Sequence, residues 1–321
     1  MKHREPALIA HGGAGSRAPA LNRPLRRRAL LAAVEHGAEI LRQGGAALDA
    51  VIATITALED DPNFNAGYGS VLTTAGRVEM DAAVMVAEHG PGRHGSTRAG
   101  GVMMVSRVRN PIGLARAVME RTPHVLLGGA GAERFAREAG MRLCRPEDLV
   151  SPRARQFWLA QLKNGKQVSA ADRHGTVGAV AMDTRGTIVA ATSTGGMAGK
   201  MPGRIGDSAI VGAGLFATAR GGASATGAGE AIMQSALCRA AVDAIGRASA
   251  PEAAESAIAN FSAASGGAEA GIVIADARGR LGYAHNATAM EVATFDTATG
   301  LSHLEAPPLA LQSGRRGSER R

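Results

Sequence analysis

The sequence predicts an α+β fold in which two stacked, mostly antiparallel sheets are flanked by helices. Three observations carry that expectation. Helical periodicity comes in sequential pairs, at residues 25–43 with 46–60 and at 229–246 with 251–263. Strand-like runs come as hairpins, such as 177–182 with 188–192 and 270–276 with 280–286, rather than alternating singly with helices as a doubly wound parallel sheet requires. The 321-residue chain is 45% hydrophobic, enough to bury a sizeable core, and its 43 glycines are spread along the whole length, which points to tight turns rather than a low-complexity segment.

The elements follow in order. Residues 7–10 read as a short buried strand ending in the glycine turn His11-Gly12-Gly13-Ala14-Gly15. That turn is no dinucleotide fingerprint, because residues 17–24 form a polar loop with two prolines where a helix would have to open. Helices at 25–43 and 46–60 are separated by the stop Gly44-Gly45. A turn-rich loop at 61–69 leads to strands at 71–73 and 78–86 joined across 74–77, then a surface loop at 88–97 and an apolar strand at 101–108. Helices follow at 112–121, behind Asn110-Pro111, and at 132–139. From about 146 to 175 the chain turns charged and polar, with a helix-like patch around Trp158, and reads as a connector. Thr176 then opens an apolar strand at 177–182, so its hydroxyl stands where a polar segment meets a rigid one. Beyond it come a strand at 188–192, a glycine-rich loop at 195–206, a strand at 209–213, the two later helices, strands at 270–276, 280–286 and 291–296, and a basic tail from about 307 to 321.

A net charge of +8 raises the question of nucleic acid. The surplus sits at the two ends, in Lys2, Arg4, Arg17, Arg23 and Arg26 to Arg28 and in the four arginines after residue 313, leaving the body near neutral. No basic stripe with interleaved aromatics appears, so no nucleic-acid partner is expected. Cys144 and Cys238 lack metal-type spacing and read as reduced, partly buried thiols. No apolar run reaches the length of a membrane span and the first residues lack a signal-peptide pattern, so the expectation is a cytoplasmic protein with no membrane partner.

The chain carries no P-loop, HExxH, CxxC or Gly-x-Ser-x-Gly elbow. What remains is a second-half cluster of threonines, glycines and one charge pair. Thr192-Ser193-Thr194-Gly195-Gly196 ends the strand expected to pair with that of Thr176. Gly203-Arg204-Ile205-Gly206-Asp207 sets opposite charges three apart between glycines, a spacing suited to one small ligand. Thr226-Gly227-Ala228-Gly229-Glu230 precedes a helix, where free N–H groups favour a carboxylate or an oxyanion. Taken singly, each has a plain explanation in caps, turns and a surface ion pair.

Together with His11-Gly-Gly-Ala-Gly15, Phe64-Asn-Ala-Gly-Tyr-Gly-Ser70, Met80-Asp-Ala82, Gly175-Thr-Val-Gly-Ala-Val-Ala181, Thr192-Ser-Thr-Gly-Gly-Met197 and Gly203-Arg-Ile-Gly-Asp-Ser208, they resemble the plant-type L-asparaginases, or isoaspartyl peptidases, of the N-terminal-nucleophile hydrolases. The matches run in order from residue 8 to about 296. The resemblance implies a four-layer αββα sandwich formed by one domain over 1–321, cut by itself between Gly175 and Thr176 into an α subunit, 1–175, and a β subunit, 176–321. The pieces would stay associated, usually as a dimer of αβ units, a heterotetramer. Gly175 lacks a Cβ and would let the peptide before Thr176 take a strained geometry. The freed α-amine, with an ordinary pKa of about 7.7–8.0, would activate the hydroxyl of the same residue.

By the same resemblance, Arg204 would hold the substrate α-carboxylate and Asp207 its α-ammonium, with Gly229 helping to hold the amine. Thr194 would orient Thr176, Thr226 and Gly227 would stabilise the oxyanion, and Asn65 would brace the site. Main-chain carbonyls of Leu58, Glu59, Asp61, Phe64, Ala66 and Tyr68 resemble a sodium loop, and no other cofactor is expected. The sequence departs from the pattern at Ala209, where proline is common, and in the small, glycine-rich stretch 216–225. The implied reaction releases aspartate from β-aspartyl dipeptides and L-asparagine. Its rivals are a glycosylasparaginase and, from another class, a non-catalytic protein that binds through its basic ends.

Overall fold

The computed structural model describes residues 4–15, 23–88, 96–164 and 175–309. Eight strands form one sheet, in the order β12 (Gly300–Ala306), β11 (Ala289–Asp296), β1 (Ala7–Gly15), β5 (Val177–Met182), β6 (Ile188–Thr194), β2 (Met80–Glu88), β3 (Ser96–Val105) and β4 (Leu126–Gly128). Four form a second, in the order β10 (Leu281–His285), β9 (Ala270–Asp276), β8 (Gly221–Gly227) and β7 (Leu215–Thr218). Neighbours pair antiparallel except β3 with β4. Helices α1 (Arg23–Arg42), α2 (Ala47–Asp60), α3 (Pro111–Arg121), α4 (Gly129–Glu138) and α5 (Pro152–Asn164) pack on the outer side of the large sheet; α6 (Gly229–Ser235), α7 (Leu237–Ala244) and α8 (Ala250–Ala264) cover the small one. This is the expected α+β sandwich.

The large sheet is buried on both faces, so its central strands are apolar without interruption. Alternation sorts their side chains between two cores. Leu8, Ala179, Ala181, Val189 and Ala191 point to the helices, whereas Ile9, Val180, Met182, Ile188 and Ala190 meet Leu215 and Val273 of the second sheet. Carried to the strand ends, the same alternation puts His11, Asp81, Thr192, Thr194, Ser224 and Thr226 on the inner faces. One end of the inter-sheet layer is therefore polar.

Several elements differ from the sequence reading. The glycine turn at residues 11–15 is the end of β1, kept in the sheet by an irregularity between His11 and Ala14. The hairpin expected at 71–86 shrinks to a single bridge, Leu72 with Val78, before β2. The strand expected at 209–213 is a short 3-10 turn at Asp207–Ala209 followed by irregular chain, while the glycine-rich stretch after it supplies β7 and β8. The helix expected over 229–246 is two helices, broken at Ala236, whose φ is +48°. β4 and β12 were not expected. Helix α5 takes up most of the connector's described residues, leaving little of them irregular; 165–174 and the tail from 310 lie outside the described residues. Among the described residues no helix is long and apolar enough to cross a membrane.

Candidate active site

Thr176 lies at the start of β5, 7% exposed, at the polar end between the sheets. β6 runs beside β5, and Thr194, three residues past the point where Ala191 pairs with Ala179, brings its hydroxyl to that of Thr176. The Thr176 hydroxyl donates to Thr194 Oγ1 at 3.0 Å, and the Gly196 N–H donates to the same oxygen at 2.9 Å. Asn65 laces the neighbouring turns together. Its Nδ2 donates to the Gly196 carbonyl at 2.7 Å, its Oδ1 accepts from Val71 N–H at 2.9 Å, and its own carbonyl accepts from Gly195 N–H at 3.0 Å.

Gly175 is held between two neighbours. A Cβ on it would stand 2.9 Å from the Asn65 Cβ, and a Cβ on Gly13 would stand 2.7 Å from the Gly175 Cα. Glycine at 175 is thus favoured by the space that Asn65 takes. His11 lies just beneath, fully buried, with Nε2 2.9 Å from Ser224 Oγ, and so ties the two sheets together. Burial pulls its pKa down to about 3, only partly offset by a hydrogen bond to the Thr176 backbone, so the ring is neutral.

A small cleft opens on this end, lined by Thr176, Thr194, Gly196, Met197, Arg204, Gly206, Asp207 and Gly227. Arg204 places Nε and Nη2 on the two carboxylate oxygens of Glu230, each at 2.9 Å. Its fork is thus already turned to a carboxylate. Asp207 is 4% exposed and its Oδ2 has no hydrogen-bond partner. Burial pushes its pKa up to about 7; Arg204 opposes the shift, and Glu230 and Asp81 add to it. Gly229 lies against both groups, for a Cβ there would come 2.8 Å from Asp207 Oδ1 and 2.9 Å from Arg204 Nη2.

Five of the residues singled out in the sequence therefore meet at one cavity: Thr176, Thr194, Arg204, Asp207 and Gly227. Three flank it. Asn65 stands behind Gly175 and Gly196, Gly229 behind the charge pair, and Thr226 under the β1 irregularity, where Thr226 Oγ1 accepts from Ala14 N–H at 3.4 Å. Gly227 has φ +141°, and a Cβ on it would strike the Glu269 carbonyl, so only glycine fits. The partner of Arg204, Glu230, was assigned no role from sequence; nor were Asp81 and Lys200, whose burial a one-dimensional pattern does not reveal.

At the end of α2, the chain folds back so that the Glu59 carbonyl occupies the space beside Gly67, and the Phe64 and Asp61 carbonyls the space beside Gly69. The next carbonyls along, Pro62 and Asn63, take the guanidinium of Arg153, and Asn63 also that of Arg26. Among the described residues no group of three or more His, Cys, Asp or Glu side chains is arranged to hold a metal ion.

Comparison with known proteins bears on the same site. A family model described as Asparaginase matches residues 4–304. The chain is 40% identical over 277 residues to the isoaspartyl peptidase/L-asparaginase of Xenopus laevis, covering 86% of this chain and 87% of that protein. It is 43% identical over 238 residues to the protein of the same name from Homo sapiens, covering 73% and 75%. To the plant-type L-asparaginase of Pyrococcus abyssi it is 42% identical over 305 residues, covering 89% and 95%.

Proposed function

We propose, from the premise that this chain belongs to the asparaginase family, that it is a threonine hydrolase releasing L-aspartate from β-aspartyl (isoaspartyl) dipeptides and from L-asparagine. The observation that carries this reading is the shared cavity of Thr176, Arg204 and Asp207. It sets a hydroxyl, a carboxylate-binding fork and an unpartnered buried carboxylate oxygen around one small cleft.

The chemistry follows from those groups. The substrate α-carboxylate displaces Glu230 from Arg204, and the α-ammonium meets Asp207 Oδ2, which has no other partner. Held at both ends, the substrate turns its side-chain amide carbon to Thr176. The Thr176 oxygen attacks that carbon while its proton passes to the α-amine of the same residue. The charge that develops on the carbonyl oxygen is taken by the Thr226 hydroxyl and the Gly227 N–H. The amine leaves with that proton, and water then attacks the ester on Thr176 to free aspartate.

The amine exists only once the chain has been cut between Gly175 and Thr176, so self-cleavage into 1–175 and 176–321 belongs to the proposal. The closeness of Gly13, Asn65 and Gly175 supports a tightly held junction. Thr194 would orient Thr176, a role supported by their 3.0 Å hydrogen bond. By the family resemblance a sodium ion would sit at the carbonyls of Leu58, Glu59, Asp61, Phe64, Ala66 and Tyr68, of which those of Glu59, Asp61 and Phe64 turn toward the glycines at 67 and 69. It would stiffen the turn bearing Asn65, and no step of the reaction runs through it. A dimer of αβ units and a cytoplasmic location complete the reading.

Purified protein followed by gel and N-terminal sequencing tests it. The expected result is two pieces, the second beginning at Thr176. Thr176→Ala should give an uncut, folded chain with hydrolysis lowered by a factor on the order of 10⁴ or more, as for loss of other nucleophiles. Hydrolysis at the parental rate would remove Thr176 from the nucleophile's role.

A further inference from the structure

The reaction leaves three charged side chains unused, and all three are built against the loop that carries Arg204 and Asp207. Lys200 is 1% exposed, and its Nζ donates to the Glu79 carbonyl at 2.8 Å. The Glu79 carboxylate accepts from Gly203 N–H at 2.8 Å, where the loop begins. Asp81 is fully buried; its Oδ1 accepts from Met104 N–H at 2.9 Å, its Oδ2 has no hydrogen-bond partner, and the charges of Lys200 and Arg204 act on its carboxylate.

The backbone around them is tied in the same way. Gly199 N–H donates to the Leu72 carbonyl at 2.8 Å, and Thr74 N–H to the Lys200 carbonyl at 2.9 Å. Pairing of β2 with β3 is irregular between Met80 and Ala82, and Met104 has φ +55°, in the left-handed region that a side chain disfavours. Such a conformation persists only where its surroundings hold it, and Asp81 takes the Met104 N–H.

We propose that Glu79, Asp81 and Lys200 are positioning residues that clamp the Gly203–Asp207 loop and so set the affinity of the site for a free amino-acid head group. This rests on the reading of Arg204 and Asp207 given above. The clamp closes on Gly203, whose amide donates to Glu79, while Asp81 holds the neighbouring strand through Met104 and sets its charge near Arg204. Lys200 offsets the buried charge of Asp81 and secures the strand from behind; removing either leaves the other charge uncompensated. The clamping residues 79 and 81 precede the Gly175–Thr176 junction, whereas the loop follows it. The first part of the chain therefore shapes the head-group site that the second part carries.

The test uses the full chain and measures self-cleavage, KM and kcat for L-asparagine and for a β-aspartyl dipeptide. Glu79→Ala and Asp81→Asn should raise KM for both substrates by roughly tenfold or more, the scale of a misplacement transmitted to a binding group. Both kcat at saturation and self-cleavage should stay near the parental values. Glu79→Gln, which restores an acceptor for Gly203 N–H, should recover most of the lost KM. The charged groups facing Asp207 are Arg204, Glu230 and Asp81, with the buried Cys238 thiol also near. Loss of the Asp81 charge should accordingly move the acid limb of kcat/KM to lower pH. Glu79 is only half-buried, so its two variants carry the test should Asp81→Asn fail to fold. Parental KM in the Glu79→Ala variant, or a loss confined to kcat, would overturn the clamp alone. A parent enzyme that hydrolyses neither substrate would overturn the reading beneath it.

Discussion

Asp207 is ionised only in part near neutral pH, and that fixes how the reaction should respond to acid. Its pKa is raised to about 7, so below that pH the carboxylate takes a proton and no longer attracts an ammonium. The free-enzyme profile, kcat/KM, should fall on the acid side of about pH 7 by about tenfold per pH unit for each group that must lose a proton. A profile flat down to pH 5 would show that Asp207 does not hold the substrate's ammonium. Asp207 and Thr176 were both legible in the sequence, one as half of a charge pair between glycines, the other as a hydroxyl at the mouth of an apolar strand. What the sequence could not show is that Glu230 already sits in the Arg204 fork, because it is 26 residues away along the chain. The glycine at 175 was legible as well, but not the nearness of Asn65, 110 residues earlier in the chain, which leaves no room there for a side chain.

At the scale of elements, period and punctuation carried the reading where both were present. α2 and β5 fall where the pattern put them, since glycines or turn residues bound each and apolar spacing fills it. The break between α6 and α7 has no such mark: Ala236 is a strong helix former that adopts φ +48° because Leu237 and Cys238 must turn inward to the core. A left-handed conformation costs a side-chain-bearing residue about 1–2 kcal/mol. Ala236→Gly removes that cost at an exposed position, against about 0.5–1 kcal/mol of added chain entropy. The variant should be more stable by up to about 1 kcal/mol, read from denaturant unfolding. A loss of more than that would mean the break is not strained. β7 and β8 escaped notice for the opposite reason. Their small residues are selected by close packing between sheets, as at Gly222 beside Val180 and Ile188, and not by strand propensity.

For the molecule as a whole, the buried acid Glu59 links stability to pH. Its Oε1 accepts from Ser193 Oγ at 2.6 Å and Ile112 N–H at 3.0 Å, while Oε2 has no partner. Burial raises its pKa from 4.5 to about 8, with those hydrogen bonds opposing. The folded protein thus keeps a proton that the unfolded chain gives up, and stability attributable to this group falls as pH rises from about 4.5 to about 8, at about 1.4 kcal/mol per unit. Glu59→Gln carries no charge at any pH. Its unfolding free energy relative to the parent should therefore climb across that window, and parallel pH profiles would show that Glu59 is ionised in the fold.

The strand order has one more consequence, and it concerns time. β1, made first, lies between β5 and β11, and the latter spans Ala289–Asp296 near the end of the described chain. A growing polypeptide leaves the ribosome N-terminus first, so β1 waits for its first neighbour, β5, until more than half of the 321 residues have been made, and for its second, β11, far longer. A cut before that moment would separate β1 from its partners by diffusion instead of by a tether. Residues 1–175 and 176–321 made as separate chains should therefore assemble slowly, in a concentration-dependent way, and with losses to aggregation that the single chain avoids.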